Sequence, residues 1–281
     1  MKIGVTGATG QLGRIVVEKL KEKVSSESIV ALVRNPQKAA ELGVESREFD
    51  YSNPTSLTTS LQGIDKLLLI SSNEIGQRAV QHANVIAAAK QAGVKWIVYT
   101  SLLHGDISSL SLAGEHLATE EALKASGIPY TVLRNGWYTE NYTGSVQGAI
   151  AGGAFIGSAA EGKIASAARA DYAEAAAVVL TSEGHIGKVY ELSGDGAYTL
   201  ADLAAEISRQ TGKNIPYNNL PEAEYATILK GFGIPEGFAF AIAGWDVSAS
   251  KGDLFDDAHV LSKLIGRPTT PLATVVAAAL A

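Results

Sequence analysis

Three glycines near the start of the chain constrain the fold more than any other feature of the sequence. Gly7, Gly10 and Gly13 follow a short apolar segment, residues 2–6, and precede a helical pattern of apolar residues. A turn without Cβ atoms lets the backbone approach a pyrophosphate, and the helix that follows directs its free N–H groups and its dipole toward the same group. Because this spacing stands between a strand and a helix, it favours a dinucleotide-binding βαβ unit over a glycine-rich turn without a ligand.

The residue after the second predicted strand indicates which dinucleotide binds. Sites for NAD place an acidic residue about 20 positions after the glycines, where it binds the ribose 2′-hydroxyl. This chain has Arg34 there, with Lys38 nearby and no acidic residue between positions 28 and 41. A guanidinium can hold the 2′-phosphate of NADPH through two hydrogen bonds, so the sequence favours NADP(H) over NAD(H). The alternative is a solvated arginine at a strand end.

Composition and charge exclude several classes of protein. The 281 residues are 46% hydrophobic and 19% charged with a net charge of -6, which suits a buried core and argues against a nucleic-acid surface. No charged-then-apolar leader is visible and the apolar runs are short, so we expect a soluble, cytoplasmic protein that does not enter a membrane. The chain has no cysteine and five scattered histidines, so we expect no disulfide, no thiol chemistry and no metal site.

Strands and helices alternate through the first half of the chain. The predicted strands cover residues 2–6, 29–33, 44–49, 66–70, 96–99, 130–133 and 189–192. The predicted helices cover residues 36–42, 54–61, 75–92, 112–126, 141–150 and 171–180, with another that starts at Thr199 and short helices beyond about residue 215. This order predicts an α/β fold, a Rossmann-like doubly wound parallel sheet with a small, mostly helical C-terminal lobe. We expect an NADP-binding domain over residues 1–195, in which residues 135–170 contribute to the substrate cleft, and a substrate lobe over residues 196–281.

Ligands of an open α/β sheet bind beyond the carboxyl ends of the strands, where the strand order reverses. With the fourth strand expected beside the first, Ser71 and Ser72 would face the middle of the cofactor. Residues 135–138, Asn-Gly-Trp-Tyr, would face its reactive end, because a glycine between an amide and two aromatic residues lets backbone and side chains approach a flat ring. Alternatively, Trp137 and Tyr138 are core residues.

A pattern typical of short-chain dehydrogenases that act on alcohols and ketones is absent. Those enzymes carry Tyr-x-x-x-Lys on the helix after the fifth strand, where the tyrosine donates a proton and the lysine lowers its pKa. The corresponding helix here has His116 and Glu120, which we interpret as a contact on the helix surface, where Glu120 would raise the pKa of His116. Without a dedicated acid, the chain suits an acceptor such as a quinone, whose reduced anion is stable and takes its proton from water.

Segments along almost the whole chain resemble one family. They are GATGQLG (7–13), VRNP (33–36), KLLLISSNEIGQRAVQH (66–82), YTSLLHGD (99–106), LRNGWYTENY (133–142), GKIASAARADYA (162–173), GKVYEL (187–192) and ASKGDLFDD (249–257). Through them the chain is similar to NmrA-like atypical short-chain dehydrogenases, and within that family to the bacterial type-two NADPH:quinone oxidoreductases. The resemblance implies a cytosolic, flavin-free enzyme that moves a hydride from NADPH directly to a quinone.

The resemblance also implies which residues bind NADPH, the one cofactor expected, without flavin or metal. The predicted cofactor-binding residues are Gly7, Ala8, Thr9, Gly10, Gln11, Leu12, Arg34, Ser71, Ser72, Asn73, Asn135, Gly136, Trp137, Tyr138, Thr139, Glu140 and Lys163. Lys163 is also the only basic residue between Arg134 and Arg169, and a flexible ammonium there could reach a phosphate or the substrate. The alternative is a solvated lysine in a loop.

Three functions fit these observations. The first is an NADPH-dependent quinone reductase whose substrate enters a cleft near Trp137, Tyr138 and His104, with no catalytic residue identified. The second is a redox sensor of the same family, which binds NADP(H) and regulates a partner without turnover. The third is a reductase of triphenylmethane dyes, although the segment ISSNEIGQR (70–78) favours the quinone enzymes. We expect a homodimer only because symmetric dimers are the commonest oligomers.

Overall fold

Strands and helices alternate along the chain, which a computed structural model describes over residues 1–281. The strands are β1 (Ile3–Thr6), β2 (Ile29–Val33), β3 (Glu45–Glu48), β4 (Lys66–Leu69), β5 (Trp96–Leu102), β6 (Tyr130–Asn135), β7 (Phe155–Gly157), β8 (Val189–Leu192) and β9 (Tyr217–Asn219). The helices are α1 (Gln11–Lys21), α2 (Pro54–Ser60), α3 (Arg78–Ala92), α4 (Ala113–Ser126), α5 (Thr139–Thr143), α6 (Val146–Gly152), α7 (Arg169–Thr181), α8 (Leu200–Thr211), α9 (Glu222–Gly231), α10 (Glu236–Ser250), α11 (Val260–Ile265) and α12 (Leu272–Leu280).

These elements divide between two compact units. The first unit comprises Met1–Gly105, Gly114–Asn135 and Arg169–Leu192. The second unit comprises Asp106–Ala113, Gly136–Ala168 and Ser193–Ala281. The predicted functional division, at residue 195, stays a proposal.

The first unit is built on a seven-stranded sheet in the order β3-β2-β1-β4-β5-β6-β8, and every neighbouring pair is parallel. Residues of β1, β2 and β5 are buried throughout, as expected for apolar strands that are covered on both faces. The strand order reverses between β1 and β4, which is where the doubly wound fold places its ligands. The predicted fold class and the predicted pairing of the first and fourth strands are confirmed.

The second unit contains a short parallel pair, β7 and β9, and most of the remaining helices. Helices α9 and α10 pack together through a small apolar cluster, which consists of Tyr225, Ala226, Leu229, Ala239 and Ala243. Thr199, which is predicted to start a helix, caps α8: its hydroxyl accepts from the Asp202 N–H while the Asp202 carboxylate accepts from the Thr199 N–H.

Two predicted helices of the first unit differ in the structure. Residues 36–42 form a 3₁₀ helix, which ends at Gly43 in the left-handed conformation with φ 64°. The helix expected to start at residue 75 begins at Arg78 instead. Gly76 has φ 87°, which an α-helix excludes, so residues 74–77 form a turn.

Three predictions for the second unit were also inaccurate. The helix expected over residues 141–150 is interrupted at residues 144–145 and is replaced by α5 and α6. Strands β7 and β9 are absent from the predicted strands, because their pairing across more than 50 residues of sequence has no local signature. The region beyond residue 215 contains α10, a 15-residue helix rather than only short ones. None of the helices has both the length and the apolar character that crossing a bilayer requires.

Candidate functional site

The glycine-rich turn joins β1 to α1 through close backbone contacts. Gly7 has φ 58°, in the left-handed region, and its carbonyl accepts a hydrogen bond of 2.8 Å from the Gly10 N–H. A Cβ atom on Gly13 would lie 2.3 Å from the Gly7 carbonyl oxygen and 2.7 Å from the Ala8 Cα, so only glycine fits there.

The N-terminus of α1 is free to receive an anion. Gly10 caps the helix without any side-chain hydrogen bond, and no acidic residue stands in the first turn. Gly7, Gly10 and Gln11 are exposed to solvent, while Ala8 and Leu12 are buried and Thr9 is half-buried. This cradle of glycine backbone and unpaired helix N–H groups therefore fits the diphosphate of a dinucleotide.

Arg34 follows β2 and lies beside a carboxylate that comes from another part of the chain. Its side chain is 67% exposed, and its Nη1 lies 3.2 Å from an oxygen of Glu74. The second oxygen of Glu74 accepts a hydrogen bond of 2.8 Å from Gln81. Sequence reasoning missed Glu74, because it considered acidic residues near Arg34 in sequence and not those brought there by the loop after β4. A 2′-phosphate bound to Arg34 would share the guanidinium with this carboxylate.

The loop after β4, residues 71–73, lies beside the glycine-rich turn. A Cβ atom on Gly7 would be 3.9 Å from the Ile70 Cβ, so the two segments are neighbours at the carboxyl ends of β1 and β4. The Ser71 N–H donates to Thr100 Oγ1 at 2.9 Å. Ser71 and Ser72 are half-buried and Asn73 is exposed. The structure therefore brings the predicted residues 7–12 and 71–73 together.

Asn135 ends β6 with an unsatisfied polar atom. Its side chain is 4% exposed, and its buried Oδ1 has no hydrogen-bond partner. An orphaned acceptor is uncommon in a folded protein and indicates a place where a ligand completes the hydrogen bonding. Asn135 therefore fits a role in holding a polar group such as a carboxamide.

The remaining predicted cofactor residues belong to the second unit. Trp137 is buried and makes an edge-to-face contact with Trp245, with ring centroids 5.6 Å apart. Tyr138, which is half-buried, forms an isolated bridge with Ala167 and caps α5. Its burial and that of Trp137 agree with packing roles as well as with contact to a ligand.

Thr139 and Glu140 form the first turn of α5, and Gly136, three residues before Thr139, is buried. Thr139 is buried, and its hydroxyl lies 2.8 Å from Ser166 Oγ. Lys163 is exposed in its loop, with Nζ 5.9 Å from the ring centre of Phe255.

His104, a predicted substrate-cleft residue, follows β5 in the left-handed region with φ 51°. Its N–H donates to a Glu191 oxygen at 2.8 Å. The other Glu191 oxygen accepts from Arg134 at 2.8 Å, and Arg134 also binds both oxygens of Glu120, at 3.1 and 2.8 Å. Ser101 Oγ donates to the same Glu120 carboxylate. These carboxylates, first Glu120 and then Glu191, raise the pKa of the Arg134 guanidinium above its usual value.

The predicted surface contact between His116 and Glu120 is wrong. Glu120 turns to Arg134, whereas His116 is only 4% exposed and lies 2.7 Å from the Tyr99 hydroxyl. The pKa of His116 is lowered to about 3, by burial and then by the nearby Arg78 charge, and is not raised by Glu120. Helical spacing alone did not reveal that this face of α4 is covered by α3.

No group of three His, Cys, Asp or Glu side chains in the structure could hold a metal ion. The candidate site is instead defined by backbone groups and Arg34 near the sheet's switch point, together with the unsatisfied Asn135 Oδ1 at the end of β6. Those features fit a dinucleotide rather than a metal.

Comparisons with known proteins identify the family to which this fold and site belong. The family model of the NmrA-like family matches residues 1–269, so the chain belongs to the NmrA-like family. The predicted family and the Rossmann-like fold are thereby confirmed.

Individual relatives cover the whole chain. Quinone oxidoreductase 2 of Escherichia coli (strain K12) is 59% identical over 277 residues, which are 98% of this chain and 97% of the relative. A crystal structure of an NADPH-dependent quinone oxidoreductase from Escherichia coli complexed with NADPH has a TM-score of 0.97 and 58% identity, over 99% of this chain and 100% of that one. A crystal structure of the Citrobacter sp. triphenylmethane reductase complexed with NADP(H) has a TM-score of 0.95 and 41% identity, over 99% and 100% of the two chains.

Proposed function

We propose that this protein is an NADPH-dependent quinone reductase. The observation that carries the proposal is its 58% identity and TM-score of 0.97 to a quinone oxidoreductase whose structure contains NADPH. The geometry agrees, because the glycine-rich cradle and Arg34 supply the donors that the phosphates of a dinucleotide require, and the orphaned Asn135 Oδ1 supplies an acceptor for a polar N–H group such as that of a carboxamide. When bound, NADPH supplies the two electrons and the hydrogen that reduce the quinone.

Residues 7–12 hold the diphosphate through backbone N–H groups, and Arg34 holds the 2′-phosphate. The remaining predicted contacts to the cofactor are Ser71, Ser72, Asn73, Asn135, Gly136, Trp137, Tyr138, Thr139, Glu140 and Lys163. Asn135 is the best supported of these, since its buried Oδ1 needs a donor.

Trp137, Tyr138 and His104 stay the proposed contacts to the quinone, since the aromatic rings of Trp137 and Tyr138 suit a flat ring. No side chain has to donate a proton during the reduction of a quinone, which agrees with the lack of Tyr-x-x-x-Lys on α4. His116 and Glu120, which have the same spacing on that helix, have other partners in the structure. The chain therefore acts by positioning its two ligands rather than by acid catalysis.

The other partners stay predictions. We propose a quinone as the small-molecule substrate, with no nucleic acid and no membrane as partners, a cytoplasmic location and a homodimeric assembly.

A direct assay tests the function. Purified protein is mixed with NADPH or NADH and with simple quinones or one triphenylmethane dye, and the loss of absorbance at 340 nm is followed. We expect rapid oxidation of NADPH by a quinone, slower oxidation of NADH, and slower reduction of the dye. Faster reduction of the dye would contradict a quinone reductase and favour the dye-reducing relatives. Tight NADPH binding without any turnover would favour a redox sensor.

A further inference from the structure

Both backbone polar atoms of Ser72 are bound by side chains of one helix. The Ser72 N–H donates to His82 Nε2 at 2.9 Å, and the Ser72 carbonyl accepts from Arg78 Nε at 2.5 Å. Arg78 and His82 are one turn apart on α3, so they project from the same face. Ser72 lies in a loop without regular secondary structure, and these two bonds define its orientation.

Helix α4 supports the two α3 side chains in turn. His82 Nδ1 lies 2.8 Å from Thr119 Oγ1, and Arg78 Nη1 makes a longer contact of 3.5 Å with His116 Nε2. All four side chains are buried, with His82 at 0% and Thr119 at 1% exposure. Each α3 residue thus has Ser72 on one side and α4 on the other.

The hydrogen-bond partners determine where each imidazole carries its proton. Because a backbone N–H only donates, His82 Nε2 is an acceptor and its proton is on Nδ1, which donates to Thr119 Oγ1. The Thr119 hydroxyl donates onward to the Glu115 carbonyl at 2.9 Å. Because a guanidinium also only donates, His116 accepts at Nε2 and donates from Nδ1 to Tyr99.

The turn between the loop and α3 is held by the same helix α4. The Glu115 carboxylate accepts from the Gly76 N–H at 3.1 Å and from the Arg78 N–H at 3.0 Å. The Glu74 N–H donates to Ser72 Oγ at 3.1 Å, and the Glu74 carboxylate contacts Arg34. The orientation of Ser72 is therefore connected to residues at both ends of the turn.

We propose that His82 and Arg78 are positioning residues, which hold Ser72 in the orientation that receives NADPH, and that Thr119 and His116 keep them in place. This inference rests on the proposed function, in which residues 71–73 contact the cofactor. It also assigns a role to His116, which lies on the helix where short-chain dehydrogenases carry Tyr-x-x-x-Lys. His116 acts as a buried support and not as a proton donor.

The first test compares His82→Leu with His82→Gln. Leucine removes both hydrogen bonds, whereas glutamine retains an amide oxygen that can accept from Ser72 and an amide N–H that can donate to Thr119. We expect His82→Leu to raise the Kd for NADPH about tenfold, measured by the fluorescence of the bound nicotinamide. The KM for the quinone should stay within about twofold of the wild type, and His82→Gln should recover most of the lost affinity.

A second variant and a control separate positioning from stability. Thr119→Val removes only the hydroxyl that receives the His82 proton, and should raise the Kd for NADPH about threefold. Val85→Ala leaves a cavity in the buried core on α3 and removes no hydrogen bond, so it should lower the melting temperature while leaving the Kd for NADPH unchanged. Amide hydrogen exchange at Ser72 should accelerate in His82→Leu and not in Val85→Ala.

The outcomes distinguish this inference from the proposed function. A Kd for NADPH that is the same in His82→Leu and the wild type, or that rises equally in Val85→Ala, would overturn the positioning role. A wild-type protein that does not bind NADPH would overturn the proposed function and this inference with it. A wild-type protein that binds NADPH without reducing quinones would overturn the reductase proposal alone, because the positioning role is measured by binding.

Discussion

The glycine-rich turn and the serine loop, residues 71–73, lie side by side at the same edge of the sheet, yet they are stabilised in different ways. The turn is held by its own backbone, with a hydrogen bond from Gly10 to Gly7 and a close approach that excludes a Cβ on Gly13. The serine loop is held by side chains of α3, 6 and 10 positions further along the chain, which are supported in turn by side chains of the more distant helix α4. A ligand site can therefore combine one part that is locally encoded with another that depends on packing.

The largest expected effect comes from Gly13→Ala, which disrupts the glycine-rich turn. The new Cβ would lie within 2.3 Å of the Gly7 oxygen, so the turn must shift. We expect the Kd for NADPH to rise about 100-fold, equivalent to about 2.7 kcal/mol, in a fluorescence titration. The control is Gly114→Ala on α4, where nothing lies within 4 Å of the new Cβ. Equal losses in both variants would show that the turn has no special requirement for glycine.

Arg34→Ala removes the residue that selects the cofactor. We expect the KM for NADPH to rise about 30-fold, equivalent to about 2 kcal/mol, and the KM for NADH to change little. Arg209→Ala is a matched control, because Arg209 is 66% exposed and paired with Glu206, much as Arg34 is 67% exposed and paired with Glu74. If the KM for NADPH and the KM for NADH rise together in Arg34→Ala, Arg34 does not bind the 2′-phosphate.

The buried histidines behind the serine loop make the protein's free energy of unfolding depend on pH. Burial, and then the Arg78 charge, lower the pKa of His82 to about 4 and that of His116 to about 3. Between pH 6.5 and 4 the unfolded chain binds protons at these histidines and the folded chain does not, so the free energy of unfolding decreases as the pH falls. Each histidine lowers the free energy of unfolding by up to about 1.4 kcal/mol for every pH unit of this fall.

Asp246 opposes that trend, because burial raises its pKa to about 6. Its carboxylate is therefore protonated at a higher pH in the folded chain than in the unfolded chain, and this increases the free energy of unfolding as the pH falls. The measurement is therefore the difference between the wild type and His82→Gln in urea unfolding at several pH values. We expect the variant's free energy of unfolding to fall less steeply below pH 6.5. Parallel curves for the two proteins would contradict a buried neutral His82.

The smallest expected effect is that of Glu74→Gln, which tests whether the carboxylate beside Arg34 weakens the binding of NADPH. Removing a charge from an exposed ion pair should lower the KM for NADPH about threefold, because the 2′-phosphate no longer shares the guanidinium. The KM for NADH should not change. In the Arg34→Ala background the substitution should have no effect, and a persistent effect would show that Glu74 acts through something other than Arg34.

Local patterns predicted the elements of the first unit well, for a physical reason. Apolar strands such as β2 and the glycine spacing at residues 7–13 reflect requirements within a few neighbouring residues. The departures occur where distant residues intervene. The Gly76 N–H donates a hydrogen bond to the carboxylate of Glu115, which belongs to another helix. Helix α3 therefore starts three residues later than its pattern indicates.

The amino-acid sequence by itself determined the Rossmann-like sheet and the candidates for the phosphate-binding residues, because those depend on short-range spacing and on apolar periodicity. It also indicated the family, through the resemblance of segments along almost the whole chain. Only the tertiary structure decided what surrounds them. It placed Glu74 on Arg34, buried His116 beneath Tyr99, and gave Ser72 its partners on α3. These contacts join residues that are 6 to 40 positions apart, and a hydrogen bond between such residues leaves no periodic trace in the sequence.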